Sequence, residues 1–430
     1  MTAHQTPTPP ETDGIHITDT ARGRTSTWML AATAVAVVGG LALWRLSTPD
    51  AAAVAGDAPS RAPATTEAGM RTGYAATAMA AVGKARPLPG DDRNDIAAYF
   101  HPGDPEPTGA ELITALNEEA VAAAALGNKG GLNLIVSYEA FAVKMLGLMR
   151  QEIIFARRQK ELGHAPGWLS VPLVVTSHTW ENSKNEQSHQ DPTIGEALLG
   201  EMSDTARVLF PVDGNTAVAA LRDVYGGRGQ VACVVVSKRE VTQRFDADGA
   251  QAAVARGAAH VAGDPADAAL QFVAIGAYQL DEALKAQAHL AALGHRACVT
   301  AVMEPGRLRI PRDGLEAAFV DDDATLHALF PPGLPRVLLS HTRPEPMVGV
   351  LRRIDDGPAT TRALGYISRG GTLDVAGMLF ANRCTWAHAV DAAAAVAGLD
   401  RATLLGPAQR RAIDGVGDPA DLLDPDAGIR

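Results

Sequence analysis

The sequence predicts an α/β protein built on two doubly wound, mostly parallel sheets, and three observations predict it. From residue 132 onward, short apolar runs of strand length alternate with stretches of helix length, the pattern of repeated βαβ units. The runs are continuously apolar, as in Leu132–Ser137, Val171–Thr176 and Val231–Ser237, which suits strands covered on both faces. Finally, Glu139, the polar loop Thr176–Pro192, Asp213 and Lys238 fall just past those strands. Ligands of open α/β sheets sit outside the carboxyl ends of the strands.

The elements follow in order. Residues 1–27 are rich in Thr, Pro and Asp and read as disordered. Trp28–Trp44 is uncharged, has Trp at both ends and is flanked by Arg22, Arg24 and Arg45. It lies at the short end of the roughly 17–25 residues of a spanning helix. A membrane anchor, a secretory apolar region ending at Ala53-Val54-Ala55, and an apolar helix packed on protein all stay open. Residues 47–92 read as linker, so 1–92 form a leader. Helices are expected at Asp95–Phe100 and at Gly109–Leu126 with Thr108 as N-cap.

A first α/β unit spans 93–240. Its strands are Leu132–Ser137, Val171–Thr176, Arg207–Val212 and Val231–Ser237. Its helices are 140–162, Ile194–Met202 and Thr216–Tyr225. Residues 241–268 read as a connector. A second unit spans 262–405, with strands Phe272–Ile275, Ala297–Val302 and Arg336–Ser340, a helix at Leu280–Leu293 and a long Ala-rich helix at Met378–Leu399. Residues 406–430 read as a loose tail.

The bulk numbers exclude some classes. Net charge is −11, which argues against nonspecific nucleic-acid binding. The three cysteines, Cys233, Cys298 and Cys384, lack paired spacing, so neither a disulfide framework nor a zinc site is expected and no metal ligands are assigned. A reducing, cytoplasmic setting fits, with or without a membrane tether through 28–44.

Glu139 follows a buried strand, so its carboxyl should take up protons more readily unless it is paired. The alternative is a glutamate that pairs locally, for example with Lys144. The loop His178–His189 is dense in donors, including Lys184, Asn185 and Gln187. Its alternative is a solvated surface loop. Lys238 can hold a phosphate as a point charge, or be an ordinary surface lysine. His341, also after a strand, could likewise carry chemistry, or be a hydrogen-bonded structural histidine.

These residues in this order resemble the phosphoketolase family, part of the transketolase-like thiamine diphosphate enzymes. Tyr138-Glu139-Ala140-Phe141 is similar to the family's motif around its cofactor-activating glutamate. Thr176-Ser177-His178 with Trp180, Asn185, and Ser188-His189-Gln190-Asp191-Pro192 are similar to its Ser-His-x-Trp and His-Gln-Asp-Pro segments. Pro211-Val-Asp213-Gly-Asn215 resembles a further turn, and weaker likeness runs through Gly365-Tyr366, Gly371-Thr372, Asn382 and His388.

The resemblance implies a pyrimidine-binding domain followed by a C-terminal domain, with thiamine diphosphate and Mg²⁺ as cofactors. It makes Glu139 and Phe141 cofactor-binding, and Glu139, His189 and Asn185 catalytic. Lys238, Lys184 and His178 would hold a substrate phosphate, such as that of xylulose 5-phosphate. The family's Gly-Asp-Gly diphosphate motif does not occur in this sequence. The resemblance therefore implies a partner chain carrying the diphosphate and Mg²⁺ site, in a homo- or hetero-oligomer. The loop Glu181-Asn-Ser-Lys184 and Glu186-Gln187 departs from the family's Arg-Gln-Asp-His and Gly-Phe, which bears on substrate contacts. Ketose cleavage competes with a pentulose phosphate 3-epimerase activity on the same scaffold and with a noncatalytic regulatory half.

Overall fold

The strand Val171–Thr176 (β4) forms where expected, with every residue buried. Its neighbours are Ile135–Tyr138 (β3) and Val231–Val235 (β6), and Ala206–Leu209 (β5) completes a four-stranded parallel sheet in the order β3-β4-β6-β5. Pro172 lacks an N–H, yet the ladder tolerates it, because β4 meets β3 only from Leu173 onward. The computed structural model describes residues 86–87, 111–112, 117–129, 131–181 and 187–423.

The second sheet has five strands in the order β11-β10-β8-β9-β7. They are Thr361–Leu364 (β11), Arg336–Ser340 (β10), Leu270–Ile275 (β8), Ala297–Val302 (β9) and Ala258–Ala262 (β7). All pair in parallel except β7, an antiparallel edge with an irregular register near His260.

Alternate side chains of the first sheet enter different cores. Leu173, Val175, Cys233 and Val235 pack with Met149 and Ile153 of the helix Leu146–Glu161. Val174, Leu209, Ala232 and Val234 pack with the helices Gly214–Gly226 and Ala247–Ala255. The second sheet divides likewise. Phe272, Ala274, Val337 and Leu339 meet the helices Ala277–Ala292 and Trp386–Ala397. Val273, Ile275 and Leu338 instead join the core of the first sheet. Trp180, from the first unit, is fully buried in the core of the second. The two sheets thus share apolar interior, the main favourable term in folding.

Several elements differ from expectation. The strand expected at Leu132–Ser137 begins at Ile135 and lies on an edge, with Val136 43% and Tyr138 39% exposed. The stretch 140–162 is interrupted by a 3₁₀ turn at Val143–Met145. The helix expected at Gly109–Leu126 is Glu118–Gly127, capped by Asn117, while Glu111–Leu112 (β2) pairs with Arg86–Pro87 (β1). The connector 241–268 holds the helix Ala247–Ala255 and β7. The Ala-rich helix is two helices, Val375–Ala381 and Trp386–Ala397, because Arg383 takes a left-handed turn and Thr385 caps the second. The tail is not loose over 406–423. Pro407–Ile413 is helical, Leu422 is buried, and the Leu422 carbonyl accepts from Trp386 Nε1 at 2.7 Å.

All three cysteines are free and buried. No helix among the described residues is long and apolar enough to cross a membrane. The runs 28–44 and 95–100 lie outside the described residues.

Candidate functional site

Glu139 opens a short helix directly after β3. The strand carries it to the sheet's carboxyl edge, and its side chain has no exposed surface. Oε2 accepts from the Thr179 backbone N–H and hydroxyl, both at 2.8 Å. Oε1 pairs with His341 Nε2 at 2.9 Å. Thr179 comes from the loop after β4 and His341 from the end of β10, so both sheets hold this one carboxylate. Burial pushes its pKa up, but His341, His178 and the Thr179 N–H outweigh burial and hold it below the usual carboxylate range. The local alternative is excluded, since Lys144 pairs with Glu118 at 3.2 Å.

His341 is fixed on every side. Its N–H donates to the Ile275 carbonyl at 2.9 Å, and its own carbonyl accepts from Trp180 Nε1 at 2.9 Å. Gly276 passes beneath it at φ 109°, ψ 156°. A Cβ there would stand 2.5 Å from Gln279 Oε1 and 3.2 Å from His341 Cβ. That backbone region belongs to glycine, and forcing another residue into it costs about 1–3 kcal/mol. Gly276→Ala should lower the stability of the chain by that amount, read as a reduced urea midpoint.

A second buried carboxylate lies beside the first. Glu181 accepts from the Ser237 hydroxyl, from Tyr278 OH at 2.7 Å and from the Lys238 N–H at 3.1 Å. Burial pushes its pKa up, and His178 with these donors brings it below the usual range. His178 stands between the two acids, its Nε2 3.8 Å from Glu181 and its ring edge-on to His341 at 4.9 Å. Burial keeps it neutral, and its Nδ1 has no hydrogen-bond partner among the described residues. Ser177, at φ 44°, makes the turn that sets this loop, and its hydroxyl meets Lys238 Nζ at 2.5 Å.

On the outer side, His189 is half-buried, edge-on to Phe141 at 4.8 Å, with Nδ1 2.9 Å from the Ser188 hydroxyl. Phe141 stacks on Tyr138 at 5.8 Å, and Lys238 Nζ lies 5.6 Å above the Tyr138 ring. The loop is moored to the second unit, with Tyr366 OH donating to the Gln190 carbonyl at 2.7 Å. Glu139, Phe141, His178, His189 and Lys238 therefore gather at one end of the first sheet. Lys184 and Asn185 lie outside the described residues. Asp213 is a helix cap, bonded to Thr216 and to the N–H groups of Arg244 and Phe245. Sequence reasoning missed the joint role of His341 and Tyr278, whose only signal was their place after β10 and β8.

The titrating groups set an acid limit on stability. Glu139, Glu181, His178 and His388, the last lowered to about 4 by burial and Arg383, bind fewer protons folded than unfolded. Each contributes stability that is complete above its unfolded value and lost as pH falls through its folded one. The histidines act below about pH 6.5 and the carboxyls below about pH 4.5. Asp321, raised to about 6 by burial, works in the opposite direction. Glu316, Asp322 and Asp323 are lowered as well, so seven groups stand against one, and the urea midpoint should be lower at pH 4 than at pH 7, with most of the fall below about pH 4.5 where the carboxyls add to the histidines.

The chain is similar to known proteins in sequence and in fold. Residues 93–226 match the family of D-xylulose 5-phosphate/D-fructose 6-phosphate phosphoketolase. A probable phosphoketolase of Streptomyces avermitilis is 31% identical over 129 residues, and one of Mycobacterium avium 28% over 128. Each match takes in 30% of this chain and only 16% of the relative's length. Among solved structures, transketolase from Leishmania mexicana aligns with a TM-score of 0.52 at 18% identity, covering 65% of this chain and 37% of that one. A transketolase mutant from Pichia stipitis gives 0.51 at 15%, with the same coverage. Over residues 93–226 the chain thus carries a phosphoketolase-type domain, set in a fold shared with the transketolases.

Proposed function

We propose that this chain is the pyrimidine-binding and C-terminal part of a thiamine-diphosphate-dependent enzyme that cleaves a ketose phosphate such as xylulose 5-phosphate. A partner chain would carry the diphosphate and Mg²⁺ site. The observation that carries this reading is Glu139, a carboxylate held ionised and fully buried at the carboxyl edge of a parallel sheet, next to the half-buried Phe141 ring. When bound, the coenzyme supplies an electron sink for cleavage next to a carbonyl.

The residues fit that group in kind. Glu139 Oε2 accepts two hydrogen bonds and Oε1 pairs with His341 alone, so Oε1 keeps accepting capacity for a ring nitrogen. The buried Nδ1 of His178, without a partner among the described residues, is a second polar atom suited to a ligand. Phe141 offers an apolar face to the ring. His189 and Asn185 would hold sugar hydroxyls. Lys238, exposed at the rim, would hold the substrate phosphate as a charge, with Lys184. His178, neutral, would add a hydrogen bond and no charge.

The test mixes the purified chain with thiamine diphosphate, Mg²⁺ and chains that carry a Gly-Asp-Gly diphosphate domain, then supplies xylulose 5-phosphate. Acetyl phosphate formed with inorganic phosphate, or a two-carbon unit transferred to ribose 5-phosphate, supports the proposal. Ribulose 5-phosphate would mark epimerisation instead, and no turnover with any such chain would leave the noncatalytic reading.

A further inference from the structure

We propose that His341, carried by the second sheet, is a positioning residue for Glu139: it holds the acid ionised and oriented, so that the seating of the second sheet against the first sets the charge at the site. The functional weight of this rests on Glu139 being the coenzyme-facing acid. The pairing itself does not.

Three observations carry the inference. His341 Nε2 and Glu139 Oε1 lie 2.9 Å apart, and both side chains are closed to solvent. The His341 backbone is pinned by the Trp180 Nε1 bond to its carbonyl and by its own N–H bond to Ile275, and its ring is packed edge-on to His178 and Trp180 with Phe210 tilted against it. The surroundings of Glu139 offer little substitute. The loop after β4 supplies Thr179 and His178, β6 supplies the Cys233 thiol, and the segment after β11 supplies the Tyr366 phenol. Thr179 donates only to Oε2, and His178, which also lowers the Glu139 pKa, makes no hydrogen bond to either oxygen. Without the imidazole, Oε1 is a buried carboxylate oxygen to which none of these groups hydrogen-bonds. Burial then drives a proton onto it.

The test is a titration that needs no coenzyme. The full chain is labelled with glutamate carrying ¹³C at the side-chain carboxyl, and the Glu139 signal is assigned by its loss in Glu139→Gln. The wild-type signal should titrate below the usual glutamate range. In His341→Ala the midpoint should move up by about one unit or more. His341→Gln, which keeps a donor and fills most of the space, should move it up by less. A midpoint unchanged in either variant overturns the proposal. If His341→Ala does not fold, His341→Gln alone decides. A moved midpoint in a chain that shows no turnover with any partner supports the pairing and counts against the proposed function alone.

Discussion

Under the proposed function, Glu139→Gln should cost the reconstituted enzyme about 10²–10⁴-fold in turnover, the usual worth of a positioned acid or base. The substitution keeps size and shape. The remaining amide oxygen still accepts from the Thr179 N–H and hydroxyl, so the loop after β4 stays seated. The lost element is the negative charge that faces His341. An amide also cannot take and return a proton at Oε1. Lys238 and His189 keep their own contacts with Ser177 and Phe141, so the ketose phosphate should still bind, and the loss should fall on kcat more than on KM. Steady-state assays with the partner present measure both. Wild-type turnover in the variant would remove the acid from the proposed function.

Arg207→Ala should lower stability by about 3–5 kcal/mol, the range for breaking a buried pair from one side. Arg207 sits on β5 with its guanidinium bidentate to Glu304 at 2.7 Å through Nε and Nη2, and Nη2 also meets Asp223 at 2.5 Å. Glu304 is fully buried. With Arg207 gone, its remaining ion-pair partner is Arg307 at 3.0 Å, so one buried charge is left half-compensated. The pair also ties the two units together, since Arg207 belongs to the first sheet and Glu304 follows β9. Urea denaturation followed by tryptophan fluorescence reads the change. Arg207→Ala combined with Glu304→Gln should recover part of it, because the stranded charge is then removed.

The parts of the fold that were legible in the sequence are those whose cause is local. β4, β9 and β10 appear with the expected bounds because each is an apolar run covered on both faces. β7 was missed because its residues, Ala-Ala-His-Val-Ala, lack a strand signature, and it forms by pairing with β9. The break between Val375–Ala381 and Trp386–Ala397 falls at the left-handed Arg383, next to Asn382, whose Oδ1 accepts from the N–H groups of Ile367 and Arg369, contacts invisible in the local sequence. The site divides the same way. Glu139 and the loop after β4 lie within one short stretch of chain and were legible as motifs. The partner of Glu139 was not, because His341 stands 202 residues away and is brought to it only by the shared core.

The placement of His341 also bears on how this protein tolerates recombination. The crossover point that composition suggests, between the first unit and the second, separates the acid from its imidazole and Glu181 from Tyr278. A chimera joined there would inherit every recognisable motif of the 93–226 domain and still lack two of the groups that hold its acids. The acids of the first unit thus keep their partners only in the company of the second.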